Sequence, residues 1–141
     1  MDIRTITDSY AVTPQITPED LDAIKAAGFV AVINNRPDSE IPPEWQSDAM
    51  KIAVEGAGLA YVVNPVTHAG LNMDMVALQM ATIDSAGGPV LAYCASGTRS
   101  SIVWSLGMAG KMPTEAIINA TARAGYDLSG LAARIDGLAE G

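Results

Sequence analysis

The run Ala92-Tyr93-Cys94-Ala95-Ser96-Gly97-Thr98-Arg99-Ser100-Ser101 sets the only cysteine of the chain between an apolar, strand-like stretch and a helix-like one. A thiol at such a turn lies beneath backbone N–H groups that have no intrahelical acceptor and at the positive end of a helix dipole. Both features bind anions and lower a thiol pKa. Gly97 lets the loop curl so that its amides converge, and Arg99 adds a planar fork of donors matched to a tetrahedral oxyanion. A lone cysteine after a strand is more commonly a small core hydrophobe. What turns the reading here is the combination of glycine three residues on, arginine five residues on, and two serines opening an amphipathic run. Cys94 is therefore the expected nucleophile, and Ala95, Ser96, Gly97, Thr98, Arg99 and Ser100 the expected anion-binding loop. Ser100 and Ser101 either hydrogen-bond the thiolate or cap the helix.

The flanking elements must hold this loop still. Thr17-Pro18-Glu19-Asp20 reads as a helix start with Thr17 as N-cap, and Gly28 ends that helix. Phe29-Val30-Ala31-Val32-Ile33 is a continuous apolar run of the kind found in strands covered on both faces, which predicts a central parallel strand. The polar segment Asn34-Asn35-Arg36-Pro37-Asp38-Ser39-Glu40 follows at the strand's carboxyl end, where open α/β sheets build their crevices. It is a candidate second wall, with Asn35, Arg36 and, from a later loop, His68 facing the site. Short extended pieces are expected at 3–6 and 10–12, a helix at 43–55 and a strand at 59–63. Further helices are expected at 71–83, 113–123 and 127–138, with a last strand at 90–93 feeding Cys94. Alternating strands and helices imply one α/β domain over 1–141, its mostly parallel sheet flanked by helices.

Composition narrows the partners. Sixteen acidic residues against eight basic ones give a formal charge of −8, which argues against nucleic acid or an anionic membrane. Selectivity for an anion then has to come from local donors, because screening confines long-range charge to about 8–10 Å. Aromatics are only 5% of the chain, so the core must be built from Ala, Val, Ile, Leu and Met. A single cysteine precludes an internal disulfide, and with one distant histidine it makes no zinc site; no metal or other cofactor is expected. The expected location is the cytoplasm.

Ile33-Asn34-Asn35-Arg36-Pro37-Asp38 together with Tyr93-Cys94-Ala95-Ser96-Gly97-Thr98-Arg99-Ser100 resembles the phosphatase-like domain of beta-lactamase-hydrolase-like proteins, a family similar to protein tyrosine and dual-specificity phosphatases. The resemblance runs from about residue 3 to residue 109. It implies a tyrosine-phosphatase-like α/β fold with the Cys-Arg loop between the last strand and the next helix, and either phosphatase or rhodanese-like sulfurtransferase chemistry. In fused members the partner domain resembles a persulfide dioxygenase, which implies a context of sulfide metabolism. The chain departs from the pattern at Ala95, where members often carry arginine, and at Ser39, where they often carry glycine. The first departure removes a donor and a positive charge beside the thiol.

Two features weigh sulfur against phosphate. Four residues, Ala95 to Thr98, separate Cys94 from Arg99; tyrosine-phosphatase loops are one residue longer, and the shorter span is similar to that of rhodaneses. A phosphatase also uses an acid to protonate its leaving alkoxide, worth roughly 10²–10⁴-fold, and such phosphatases usually carry an aspartate about thirty residues before the cysteine. Here that neighbourhood, Tyr61-Val62-Val63-Asn64-Pro65-Val66-Thr67-His68, has no carboxylate. Asp38 is the candidate catalytic substitute, with a turn role after Pro37 as its alternative; His68 is the other. The leading expectation is a sulfurtransferase in which Cys94 takes sulfur from a small anionic donor and passes it to an external thiol. A cysteine phosphatase acting on a phosphoester is the alternative, and a non-catalytic anion or persulfide sensor the third.

Overall fold

The computed structural model describes residues 1–67 and 69–140. Its centre is a five-stranded sheet in the order β1-β2-β5-β3-β4, made of β1 (Arg4–Thr7), β2 (Tyr10–Thr13), β3 (Ala31–Asn34), β4 (Ala60–Val63) and β5 (Val90–Tyr93). β1 runs antiparallel to β2, and every other pairing is parallel. The mostly parallel α/β architecture expected from the alternation of strands and helices is therefore present. β5 occupies the middle of the sheet and β3 lies beside it.

Among the described residues, six α-helices cover the sheet: α1 (Leu21–Ala26), α2 (Ser47–Gly56), α3 (Met73–Ser85), α4 (Thr98–Gly107), α5 (Thr114–Arg123) and α6 (Ala132–Glu140). Alternate strand residues point to opposite faces. Val12, Ile33, Val90 and Ala92 join a core with Val76, Val103, Trp104, Ile117 and Ile135 from α3 to α6. Ala11, Val32, Leu91 and Tyr93 pack instead with Leu21, Ile24, Met50 and Val54 from α1 and α2. Covering on both faces is why these strands read as unbroken apolar runs. β4, at the edge, is half-exposed.

Element positions follow the sequence expectation, with shifts that have local causes. The segment expected as one helix from Thr17 begins as a 3-10 turn at Pro18–Asp20 before α1, and its Asp20 carboxylate accepts the Thr17 N–H at 2.9 Å. The strand predicted from Phe29 begins at Ala31, because Gly28 turns the chain at φ +98° and Val30 first donates to the Pro89 carbonyl. The expected helix at 43–55 is divided into a 3-10 turn, Pro43–Trp45, and α2. The last predicted helix likewise opens with a turn at Ser129–Leu131 ahead of α6. Trp45 packs on the α1–α2 side of the core, and Tyr10 is buried, stacked on Trp104 with ring centroids 6.1 Å apart.

Candidate active site

Parallel register brings the carboxyl ends of the strands level, with Asn34 opposite both Tyr93 and Val63. The ladder runs on one step: the Asn35 N–H donates to the Tyr93 carbonyl and the Asn64 N–H to the Asn34 carbonyl, both at 2.8 Å. Asn35, Asn64 and Cys94 thus emerge side by side on one rim. Cys94 is fully buried, so a reactant reaches it only within the loop that follows.

The backbone of that loop leaves donors that can receive an anion. Gly97 serves as N-cap of α4 at φ +93°, and its amide donates to Cys94 Sγ at 3.1 Å. The helix therefore starts at Thr98, ahead of the expected Ser100. Among the described residues, the amides of Ala95, Ser96, Arg99 and Ser100 find no acceptor. Tyr126, between α5 and α6, donates from its hydroxyl to the Ser96 carbonyl at 2.9 Å and closes over Gly97, where a side-chain methyl would collide with it. Only glycine meets both the left-handed backbone and this close approach.

Arg99 is 5% exposed and held by three hydrogen bonds. Nη1 and Nη2 donate end-on to the two carboxylate oxygens of Glu40 at 2.8 and 2.7 Å, and Nη1 also donates to the Val66 carbonyl at 2.7 Å. A guanidinium has five N–H donors. With these three committed, the Nε–H and the outer Nη2–H are left as a parallel pair. Hydrogen bonding to Glu40, followed by the charges of Cys94 and Glu40, raises the Arg99 pKa against the opposing effect of burial. In return Arg99, and after it Arg36, hold the Glu40 carboxyl below the ordinary glutamate range. Arg36 braces the pair: Nε donates to Glu40 Oε1 at 3.3 Å, Nη2 to the Glu40 carbonyl at 3.1 Å, and Nη1 to Gln15 at 3.3 Å.

A closed polar circuit supports the loop from below. Ser100 Oγ donates to Asn35 Oδ1 at 2.8 Å, Asn35 Nδ2 donates to Gln79 Oε1 at 3.1 Å, and Gln79 Nε2 donates to the Tyr10 hydroxyl at 2.6 Å. Tyr10 then donates to the Ser100 carbonyl at 2.8 Å. Asn64 Nδ2 also donates to Gln79, at 3.2 Å. Burial first, and then the charge of Cys94, push the Tyr10 pKa well above its ordinary value, so the phenol stays a donor.

The expected site residues divide accordingly. Cys94, Arg99, the loop from Ala95 to Ser100, Asn35 and Arg36 gather at one rim. Asp38 is engaged elsewhere: its carboxylate accepts the Ser47 N–H at 2.7 Å and the Ser47 hydroxyl at 2.8 Å, capping α2. Neither Ser100 nor Ser101 donates to the thiol, since Ser100 bonds Asn35 and Ser101 Oγ donates to the Gly97 carbonyl at 2.8 Å. His68 lies outside the described residues. Glu40 belongs to the segment expected as a second wall, though no role was assigned to it, and Asn64, Gln79 and Tyr126 were not anticipated as parts of the site. None of the last three carries a local signal that sets it apart from a residue facing water.

A mostly parallel sheet with a Cys-Arg loop joining its central strand to a helix N-terminus matches the tyrosine-phosphatase-like class of fold. Residues 2–111 match the family described as beta-lactamase hydrolase-like protein, phosphatase-like domain, and the chain belongs to that family. It is 35% identical over 107 residues to the beta-lactamase hydrolase-like protein of Xylella fastidiosa, and 31% identical over 104 residues to that of Agrobacterium fabrum. These alignments cover about three quarters of this chain (75% and 74%) but only 25% and 24% of the relatives, so the chain spans about a quarter of the curated proteins it matches. Among solved structures, a candidate phosphatase from Neisseria meningitidis is 33% identical with a TM-score of 0.82, over 98% of this chain and 99% of that one. The active form of Tk-PTP shares the fold at 18% identity, TM-score 0.72, over 99% of this chain and 97% of its own. These relations favour the phosphatase alternative over the sulfurtransferase expectation. No described helix is long and apolar enough to cross a membrane.

Proposed function

We propose that the chain is a cysteine-dependent phosphomonoester hydrolase. The observation that carries the reading is the divided fork of Arg99: three donors tie it to Glu40 and Val66, and two parallel donors remain for an oxyanion beside Cys94. In this reading the phosphoryl oxygens accept from those donors and from the amides of Ala95, Ser96, Arg99 and Ser100. The Cys94 thiolate attacks phosphorus in line, an S–P bond forms, and the ester P–O bond breaks with its electron pair leaving on oxygen. Water then cleaves the S–P bond, returning the thiolate and releasing inorganic phosphate.

Asp38 is a capping residue in this account, because both of its oxygens are held by Ser47. Without that acid the enzyme favours leaving groups stable as anions. A phenol, with a pKa of about 10, meets that need; an aliphatic alcohol does not. The partner is then a small aryl phosphoester, and the cytoplasmic setting belongs to the same proposal.

Steady-state hydrolysis of phenyl phosphate tests it. The unmodified protein should turn the ester over, with Cys94→Ser inactive and Arg99→Lys at least about a hundredfold slower, since lysine cannot reproduce a bidentate contact. Turnover unaffected by Cys94→Ser would overturn the assignment. A sulfurtransferase remains the second reading, favoured by the four-residue span between Cys94 and Arg99. It requires that thiosulfate leave one sulfur on Cys94, removable by an added thiol.

A further inference from the structure

Beside the buried guanidinium of Arg99 lies a cavity of about 310 Å³, lined by Val66, Leu71, Ile102, Leu131 and Arg134 among others. Aliphatic and polar groups share its walls about equally, and they come from three parts of the fold. Val66 and Leu71 belong to the loop between β4 and α3, Ile102 to α4, and Leu131 to the turn before α6. Arg134 stands one helical turn beyond Leu131, on the same side of the helix. Like Arg123, it is exposed and forms no ion pair or side-chain hydrogen bond among the described residues, whereas Arg4, Arg36 and Arg99 are each paired with a carboxylate; of the two unpaired arginines, Arg134 is the one that lines this cavity. Leu131 and Arg134 lie beyond residues 2–111, the stretch matched to the family. They are held in place because Ile135 is buried in the core and Thr114 donates to Asp136.

In a chain of formal charge −8, an unpaired guanidinium at the rim of a hollow that also presents aliphatic side chains is a local reversal of charge. Volumes of ligand sites run from about 300 to 1,000 Å³, so this one suits a group of about one ring. Arg99 borders both the cradle and the hollow, so the two adjoin at its side chain. We propose that the cavity receives the leaving group of the substrate, an aryl-sized apolar group carrying a second acidic substituent that pairs with Arg134. The proposal rests on the hydrolase reading and adds the substrate class to it.

The test compares 4-carboxyphenyl phosphate with 4-carbamoylphenyl phosphate, matched in shape and differing in charge. Binding to the Cys94→Ser protein is measured by calorimetry, so the result does not depend on turnover. The carboxylate ester should bind about three- to fivefold more tightly, the range expected of one solvent-exposed ion pair. Arg134→Gln in the same background should bring the ratio to about one, and Arg134→Lys should keep part of it. Lys51→Gln, an exposed cation on α2 across the sheet, should leave the ratio unchanged. A ratio near one in the starting protein, a ratio that survives Arg134→Gln, or no binding of either ester would each overturn the proposal. Separately, a failure of the Cys94-containing protein to hydrolyse phenyl phosphate would remove the hydrolase reading while leaving the binding ratio intact.

Discussion

Glu40→Gln isolates the contact on which the account of Arg99 depends. The glutamate carboxylate accepts two guanidinium bonds end-on, at 2.8 and 2.7 Å. A glutamine presents one acceptor and one NH₂, and the NH₂ meets an arginine N–H. One charge-assisted bond and the ionic attraction are therefore lost. Hydrogen bonds to charged groups contribute about 1.5–3 kcal/mol, and removing one partner of a fully buried pair costs about 3–5 kcal/mol. The Glu40 side chain is 30% exposed, so water offsets part of the loss, and about 1–2 kcal/mol of stability should go. The larger effect should fall on the anion site. With the Val66 bond as its remaining firm anchor, Arg99 no longer holds its two free donors in one direction. A loss of about tenfold to a hundredfold in kcat/KM for phenyl phosphate follows, with inhibition by inorganic phosphate weakened in parallel. Urea unfolding separates the two effects, since at this cost the variant stays folded during the assay. If kcat/KM and phosphate inhibition both stay within twofold of the parent, Glu40 does not position Arg99 and the argument fails.

Other substitutions probe the supporting parts. Gln79→Leu leaves Asn35, Asn64 and Tyr10 each short of a buried partner and should cost about 2–4 kcal/mol in urea; an unchanged midpoint would show that the circuit contributes nothing. Gly97→Ala meets Tyr126 from a backbone at φ +93° and should lower the melting temperature and abolish measurable phosphate inhibition. The pH dependence of stability has a defined sign: Arg99 holds the Glu40 carboxyl below the ordinary glutamate value of 4.5. Its contribution is therefore complete above that pH and lost as pH falls through the lowered value. The fall in urea midpoint below about pH 4.5 should be shallower in Glu40→Gln. Ala95 is exposed on the loop, so Ala95→Arg adds a donor without burying a charge and should tighten phosphate inhibition about two- to fivefold.

The parts of the site legible in the sequence are those made by neighbours along the chain. β5 spans the predicted 90–93 because its four residues are an apolar run buried on both faces, and Gly97 and Arg99 could be placed from spacing to Cys94 alone. Boundaries shifted where hydrogen bonding across the fold decided them, as at Val30, or where a left-handed glycine capped a helix early, as at Gly97. The contacts that were not legible join distant residues. Glu40 meets Arg99 across 59 positions and Gln79 meets Tyr10 across 69, and no local pattern distinguishes such a carboxylate or amide from one that faces water. Asp38 shows the converse. A turn aspartate after Pro37 and a catalytic one read alike in the sequence, and only the structure shows that both oxygens accept from Ser47.

The central claim is that Cys94 is a phosphoryl-accepting nucleophile, and intact-protein mass spectrometry of an acid-quenched reaction with phenyl phosphate addresses it most directly. The account predicts a transient gain of one phosphoryl group, mapped to Cys94 and absent from Cys94→Ser. Hydrolysis with no covalent species on Cys94, or a protein that ignores the ester and instead gains one sulfur from thiosulfate, would contradict it.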